Sequence, residues 1–272
     1  MKDVAMRNAP ATEVRRMIRR GELPVPTTGF ADGYMQANLA ILPESYAADF
    51  RTYCLSNPKS CPLVGVGKPG QPGLPGLGEI DIRMDVARYR VYRNGVHTDT
   101  VHNLDGLWRE DLVTFALGCS FSFESAILKA GIDIHHISGG RNVPMYVTNI
   151  ETNAVGRFKG PMVVSMRSFR PKDLIQAIVL SQAFPLAHGA PVHIGDPAEI
   201  GIRDIHNPDF GDPPVIAEGD IPGFWACGVT PQMAIRQAKP DLAITHEPGY
   251  MLVTDLPANA SSVPQQALGL AA

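Results

Sequence analysis

The chain has 272 residues, 44% hydrophobic and 19% charged, with a formal net charge of −3 at pH 7. That length suits one large unit or two unequal ones, with enough chain to bury a sizeable core. The charge balance leaves no electrostatic footprint for nucleic acid: the one basic run, Arg15-Arg16 with Arg19-Arg20, reads as the solvated face of a short helix.

No run of about 18 apolar residues is present to span a membrane, and residues 1–10 lack the apolar segment of a secretory signal. The four cysteines, Cys54, Cys61, Cys119 and Cys227, form no CxxC pair and no zinc spacing. A cytoplasmic protein with reduced thiols is the expectation.

In chain order, Thr12 predicts the cap of a helix with Val14, Met17 and Ile18 on its apolar side and Gly21 at its stop. Residues 34–41 read as a buried strand on which Gln36 and Asn38 share one side. Amides there need partners, either within the core or on a substrate. Pro43 opens a helix to about Ser56, with Tyr46, Phe50 and Cys54 facing inward. Residues 61–78, dominated by Gly and Pro, predict a long irregular surface loop or lid. Alternation on either side of Asn94-Gly95 predicts a hairpin. Trp108, Leu112 and Phe115 stand at helical spacing, so a helix is expected over 105–117 and a strand over 132–137.

Residues 146–194 then read β-β-α-β, with a helix begun by Pro171. A strand over 221–227, a helix capped by Thr230, and strands over 242–245 and 251–254 follow. The pattern predicts an α/β fold. Its larger unit comprises residues 1–141 and 200–257, with a smaller two-layer α-β unit of 142–199 inserted and a disordered tail over 258–272.

Chemistry concentrates at Gly118-Cys119-Ser120-Phe121-Ser122-Phe123-Glu124, where small residues precede a helix that Gly131 ends. Ser120 is the natural N-cap, and Glu124 lies in the first turn, where the helix dipole favours a carboxylate. Free backbone N–H groups at such a terminus hold an anion or a developing oxyanion. Cys119 there has either a lowered thiol pKa or a burial role. Trp225-Ala226-Cys227-Gly228-Val229-Thr230-Pro231-Gln232 repeats the same grammar, so the two junctions are expected to face one crevice, as sites do in α/β sheets. Arg141, after two glycines, is placed to clamp a carboxylate, and His246 at a strand end to move protons. His188, His193 and Asp196 suggest a divalent-metal site as a weaker alternative to a simple turn signal.

These motifs, together with Thr28-Gly29-Phe30, Gly33-Tyr34-Met35-Gln36-Ala37-Asn38, Arg141-Asn142-Val143-Pro144-Met145-Tyr146 and His188-Gly189-Ala190-Pro191-Val192-His193, resemble the bacterial YcsI-like hydro-lyase family grouped with D-glutamate cyclase. The resemblance spans residues 12–256. It implies a larger three-layer α/β/α sandwich with a smaller α-β unit, and a carbon–oxygen lyase converting D-glutamate to 5-oxo-D-proline and water. For that chemistry the expected catalytic residues are Cys119, Ser120, Glu124 and His246. Arg141, Asn142, Ser122, Gln36, Asn38, Thr230 and Gln232 are the expected substrate contacts. The partner is a small carboxylate or amino acid, with no nucleic acid and no membrane. No nucleotide or flavin fingerprint is present, and no cofactor is expected unless the divalent-metal alternative holds. A binding or regulatory protein that holds a small carboxylate without turning it over stands as the other class.

Overall fold

The computed structural model describes residues 6–269. The fold is mixed α/β, and every strand pairing in its two sheets is antiparallel.

The axis of the larger sheet is β1 (Tyr34–Pro43), ten residues buried at every position but the first. The hairpin of β3 (Tyr89–Arg93) and β4 (Val96–Val101) turns at Asn94 and Gly95, both with the positive φ that such a turn requires. Along one side β1 pairs over its length with β5 (Leu112–Gly118), which in turn pairs with β2 (Leu63–Val66). Its other side is shared. The short strand β10 (Ala243–His246) pairs with Ala40 and Ile41, and β11 (Leu252–Pro257) pairs nearer Tyr34. The hairpin continues the sheet beyond β10.

Residues 112–117 were expected in a helix, and with Gly118 they form a central strand instead. All seven are buried because both faces of the sheet are covered, so no alternation marks them. One face packs on α2 (Glu44–Ser56), and Phe50 meets Phe115 edge-on at 4.9 Å between ring centroids. The other face packs on the Gly- and Pro-rich segment expected to be a surface lid. Leu74 and Leu77 of that segment are buried there with Ile82 and Val86 just beyond it, and the Tyr89 hydroxyl donates to the Ile82 carbonyl at 2.6 Å. The segment is a core layer, not a lid. The tail expected to be disordered also packs onto this core: Ala267, in the turn Gln265–Leu268, is buried. Residues 270–272 lie outside the described residues.

The smaller sheet has the order β6 (Met145–Glu151), β7 (Pro161–Phe169), β9 (Ile221–Ala226) and β8 (His193–Ile194). Sequence placed residues 221–226 in the larger unit, but they pair with β7 from Val164 opposite Ala226 to Phe169 opposite Ile221. Residues 132–137 form no strand. Ile132 and Ile134 are buried as anchors, and a single helical turn, α4 (His135–Ser138), follows.

Helix α3 (Phe121–Lys129) links the two sheets. It starts where β5 ends and buries Phe123 and Ile127 with Phe169 and Trp225 of the smaller sheet and Leu174 of α5 (Pro171–Gln182). The helix after β9 is α6 (Val229–Ala238), whose Ala234 and Ile235 join the cluster around Phe50. Near the N-terminus α1 (Ala11–Arg19) packs Val14 and Ile18 against Val253, and begins at Ala11 without the expected Thr12 cap.

Candidate active site

A cavity of about 290 Å³ lies between α3 and the loop of residues 28–34. The loop is shaped by alternate positive φ angles at Gly29 (79°), Ala31 (47°) and Gly33 (95°). Ala31 is a fully buried non-glycine, a strained conformation that survives only where neighbours impose it. Gln36 fixes the start of the loop: its amide donates to the Thr27 carbonyl at 2.8 Å and the Phe30 carbonyl at 3.1 Å. Across the mouth, Asp32 accepts from Ser125 Oγ at 2.6 Å and pairs with Lys129 at 2.7 Å. Burial opposes ionisation of Asp32, but Lys129 and Ser125 outweigh it and hold the carboxyl below its usual value. Arg7 adds a second cation to the lining.

Two polar residues of α3 line this space from positions almost closed to solvent. Ser122 is 5% exposed, lines the cavity, and its hydroxyl has no hydrogen-bond partner. Glu124 is 3% exposed and also lines it. Behind Glu124 stands Arg167 of β7, 2% exposed, with Nε 2.9 Å and Nη2 2.5 Å from Glu124 Oε1. His136 Nε2 lies 3.3 Å from the same oxygen. Burial alone would raise the Glu124 carboxyl, but the Arg167 charge and His136 bring it down to about 2, so it is a carboxylate at any physiological pH. A group so acidic is poorly matched to general acid–base work near pH 7 and well suited to holding a cation.

Of the residues singled out in the sequence, Gln36, Ser122 and Glu124 line the cavity. The others do different things. Ser120 holds the N-cap position of α3 but makes no side-chain cap bond, and its hydroxyl accepts from Arg167 Nη2 at 3.2 Å. Three of the amides expected to form an oxyanion hole are already bonded. The N–H groups of Ser122, Phe123 and Glu124 donate to the carbonyls of Cys119 and Ser120 and are not free for an oxyanion. Burial pushes the Cys119 thiol up to about 12, against the lowering a helix terminus predicts, and leaves no thiolate near neutral pH.

The two junctions do meet, but they close on each other. Asn38 donates to the Gly118 carbonyl at 2.9 Å, and its side chain lies against Gly228. A Cβ at Gly118 would overlap the Leu186 carbonyl, so no crevice remains between them. Thr230 is the second residue of α6, not its cap, and its hydroxyl bonds Val163. Gln232 is half-buried on α6, away from the cavity.

His246 is buried, and burial brings its imidazole down to about 4; Nδ1 accepts the Leu39 N–H at 3.1 Å, so it serves β1 as a neutral ring. Arg141 is exposed and bonds the Pro213 carbonyl, and Asn142 donates its N–H to Asp212. Neither lines the cavity. The metal alternative finds no shared centre. His188 bonds the Lys59 carbonyl, His193 the Asp196 carbonyl, and the Asp196 carboxylate accepts from Ala198 N–H.

Sequence reasoning missed Arg167, His136, Asp32 and Lys129. Arg167 had a usable signal: a lone charge inside the apolar run Met162-Val163-Val164-Ser165-Met166-Arg167 must find a buried partner.

Comparison with known proteins places this geometry in a family. The D-glutamate cyclase family matches residues 113–255, more than half of the chain. The chain belongs to the D-glutamate cyclase family. A protein of Verminephrobacter eiseniae (strain EF01-2) named "Putative hydro-lyase" is 55% identical over 249 residues, covering 91% of each chain. Similar proteins of that name occur in Bordetella pertussis (strain Tohama I), at 55% identity over 90% of this chain and 88% of the relative, and in Burkholderia orbicola (strain MC0-3), at 53% over 92% and 97%. Among solved structures, a nitrogen repressor-like protein of Methanococcus jannaschii aligns over 86% of this chain and 91% of its own. Its 9% identity and TM-score of 0.39 carry no argument. Among the described residues, no helix is long and apolar enough to cross a membrane.

Proposed function

We propose that the chain is a hydro-lyase that closes D-glutamate to 5-oxo-D-proline with loss of water, in the cavity beside α3. The observation that carries this is a cavity sized for a small ligand whose lining includes two almost fully buried polar residues of one helix start, the ionised Glu124 and Ser122 with its unpartnered hydroxyl. Family membership supplies the reaction class.

The substrate carries an ammonium and two carboxylates, and the cavity offers complementary charges: Glu124 for the ammonium, Arg7 and Lys129 for carboxylates. The α-nitrogen attacks the γ-carboxyl carbon, forming the lactam C–N bond, and a γ-oxygen departs. Of the three ammonium hydrogens one stays in the lactam N–H and two leave with that oxygen as water. Atoms and charge therefore balance without any net acid, oxidant or reductant. What the site must supply is position and a path for protons from nitrogen to the leaving oxygen. A hydroxyl accepts and donates at once, which fits Ser122 for that relay. Glu124, too acidic to keep a proton, holds the nitrogen in place.

The test is proton NMR of the full chain incubated separately with D-glutamate, L-glutamate and several 2-hydroxy acids. Loss of D-glutamate signals with growth of 5-oxoproline signals is the expected result. If none of these compounds loses water, the proposal fails.

A further inference from the structure

Every donor that reaches Glu124 reaches the same oxygen. Arg167 Nε and Nη2 and His136 Nε2 all converge on Oε1, and among the described residues no hydrogen bond reaches Oε2. The rest of the guanidinium is equally constrained. Nη1 donates to Ser165 Oγ at 2.9 Å, Nη2 to Ser120 Oγ at 3.2 Å, and the Phe123 and Trp225 rings lie 5.1 and 5.5 Å from its carbon. A planar ion held by two hydroxyls and two rings keeps one orientation, and through it the carboxylate keeps one too.

We propose that Arg167 is a positioning residue: by taking up Oε1 of Glu124 it leaves Oε2 facing the cavity as the acceptor for the substrate's ammonium. This rests on the cavity being the site of D-glutamate cyclisation. Arg167 touches no substrate in this arrangement and acts only through Glu124. A lysine in its place supplies charge without the fork that selects one oxygen, so Glu124 is free to turn.

The reactant and product separate this role from simple structural support. D-glutamate carries the ammonium, whereas 5-oxo-D-proline has only a lactam N–H. In Arg167→Lys, KM for D-glutamate is expected to rise about tenfold or more, while inhibition by 5-oxo-D-proline stays within about twofold of the wild type. Equal weakening of both compounds, or no change in either, overturns the proposal. If Arg167→Lys does not fold, the double variant Ser120→Ala with Ser165→Ala loosens the guanidinium while keeping its charge. It is expected to show the same split at about threefold, and an unchanged KM for D-glutamate overturns the proposal there too. A wild type that neither binds nor converts D-glutamate, yet folds, removes the proposed function itself and this role with it.

Discussion

The two strand-to-helix junctions of this chain share a grammar and have opposite fates. Each ends a strand in small residues that include a cysteine and opens a helix within a few positions. At the first, α3 turns Ser122 and Glu124 towards a cavity walled by the 28–34 loop. At the second, Thr230 spends its hydroxyl on Val163, and Asn38 fills the space beside Gly228. The difference lies not in the junctions but in what faces them: an irregular loop in one case, packed strands in the other. A helix start becomes a site only where its polar side chains lack protein partners.

The largest expected effect concerns the two glycines. A side chain at Gly118 meets the backbone carbonyl of Leu186, which cannot step aside without moving the turn Pro185–Ala187. At Gly228 it meets the end of the Asn38 side chain, which can rotate. Gly118→Ala should therefore lose about 3 kcal/mol or more, and Gly228→Ala about 1–2, in urea unfolding. Equal losses would mean that the junctions are packed alike.

Acid should distinguish the junctions next. Glu124 is held at about 2 when folded against 4.5 ordinarily, so its contribution is complete above the unfolded value and is lost as pH falls towards 2. It amounts to about 3 kcal/mol as an order of magnitude. His188 and His246, both brought down to about 4 by burial, must take up protons on unfolding. Their contribution is complete above 6.5 and is lost as pH falls through about 4. Stability against pH should then decline in two stages, the first from the histidines and the second from Glu124. Glu124→Gln should shrink the second stage, leaving what Asp32 contributes, and keep the first, as read by unfolding free energy at successive pH values.

Ser122→Ala deletes a hydroxyl with no partner, so stability should change by less than about 0.5 kcal/mol while turnover of D-glutamate falls about tenfold or more. Thr230→Ala should do the reverse, costing about 1 kcal/mol with turnover unchanged. The smallest effect is expected of Arg141→Ala: the side chain is exposed outside the cavity, and KM should not move.

What could be read from sequence follows the same physics. The hairpin at Asn94-Gly95, the helix opened by Pro171 and the helix before Gly131 were legible because local stereochemistry writes them. Strand β5 was not, because a strand covered on both faces loses its period of two, and Leu112 with Phe115 then imitates a helix. Ser122 and Glu124 were legible from their place at a helix start. Arg167 lies 43 residues beyond Glu124 and acts through a tertiary contact that no local pattern encodes. Arg141 drew attention for the two glycines before it, but it lies on the surface, bonded to the Pro213 carbonyl. The lone charge in the apolar run before Phe169 told only that a buried cation needed an anion, not which one.

The pairing of β1 has a consequence for synthesis. Its far side is completed only by β10 and β11, with Ala40 opposite Thr245 and Gln36 opposite Val253, so about 200 residues must follow before that side is covered. The smaller sheet draws on residues 145–226 and can assemble while β1 still waits on the ribosome. Until then a ten-residue, largely apolar strand offers an open edge, the kind on which chains aggregate. Chains that stop short of Leu252 should accumulate as insoluble material even though the polar residues of the cavity have all been made.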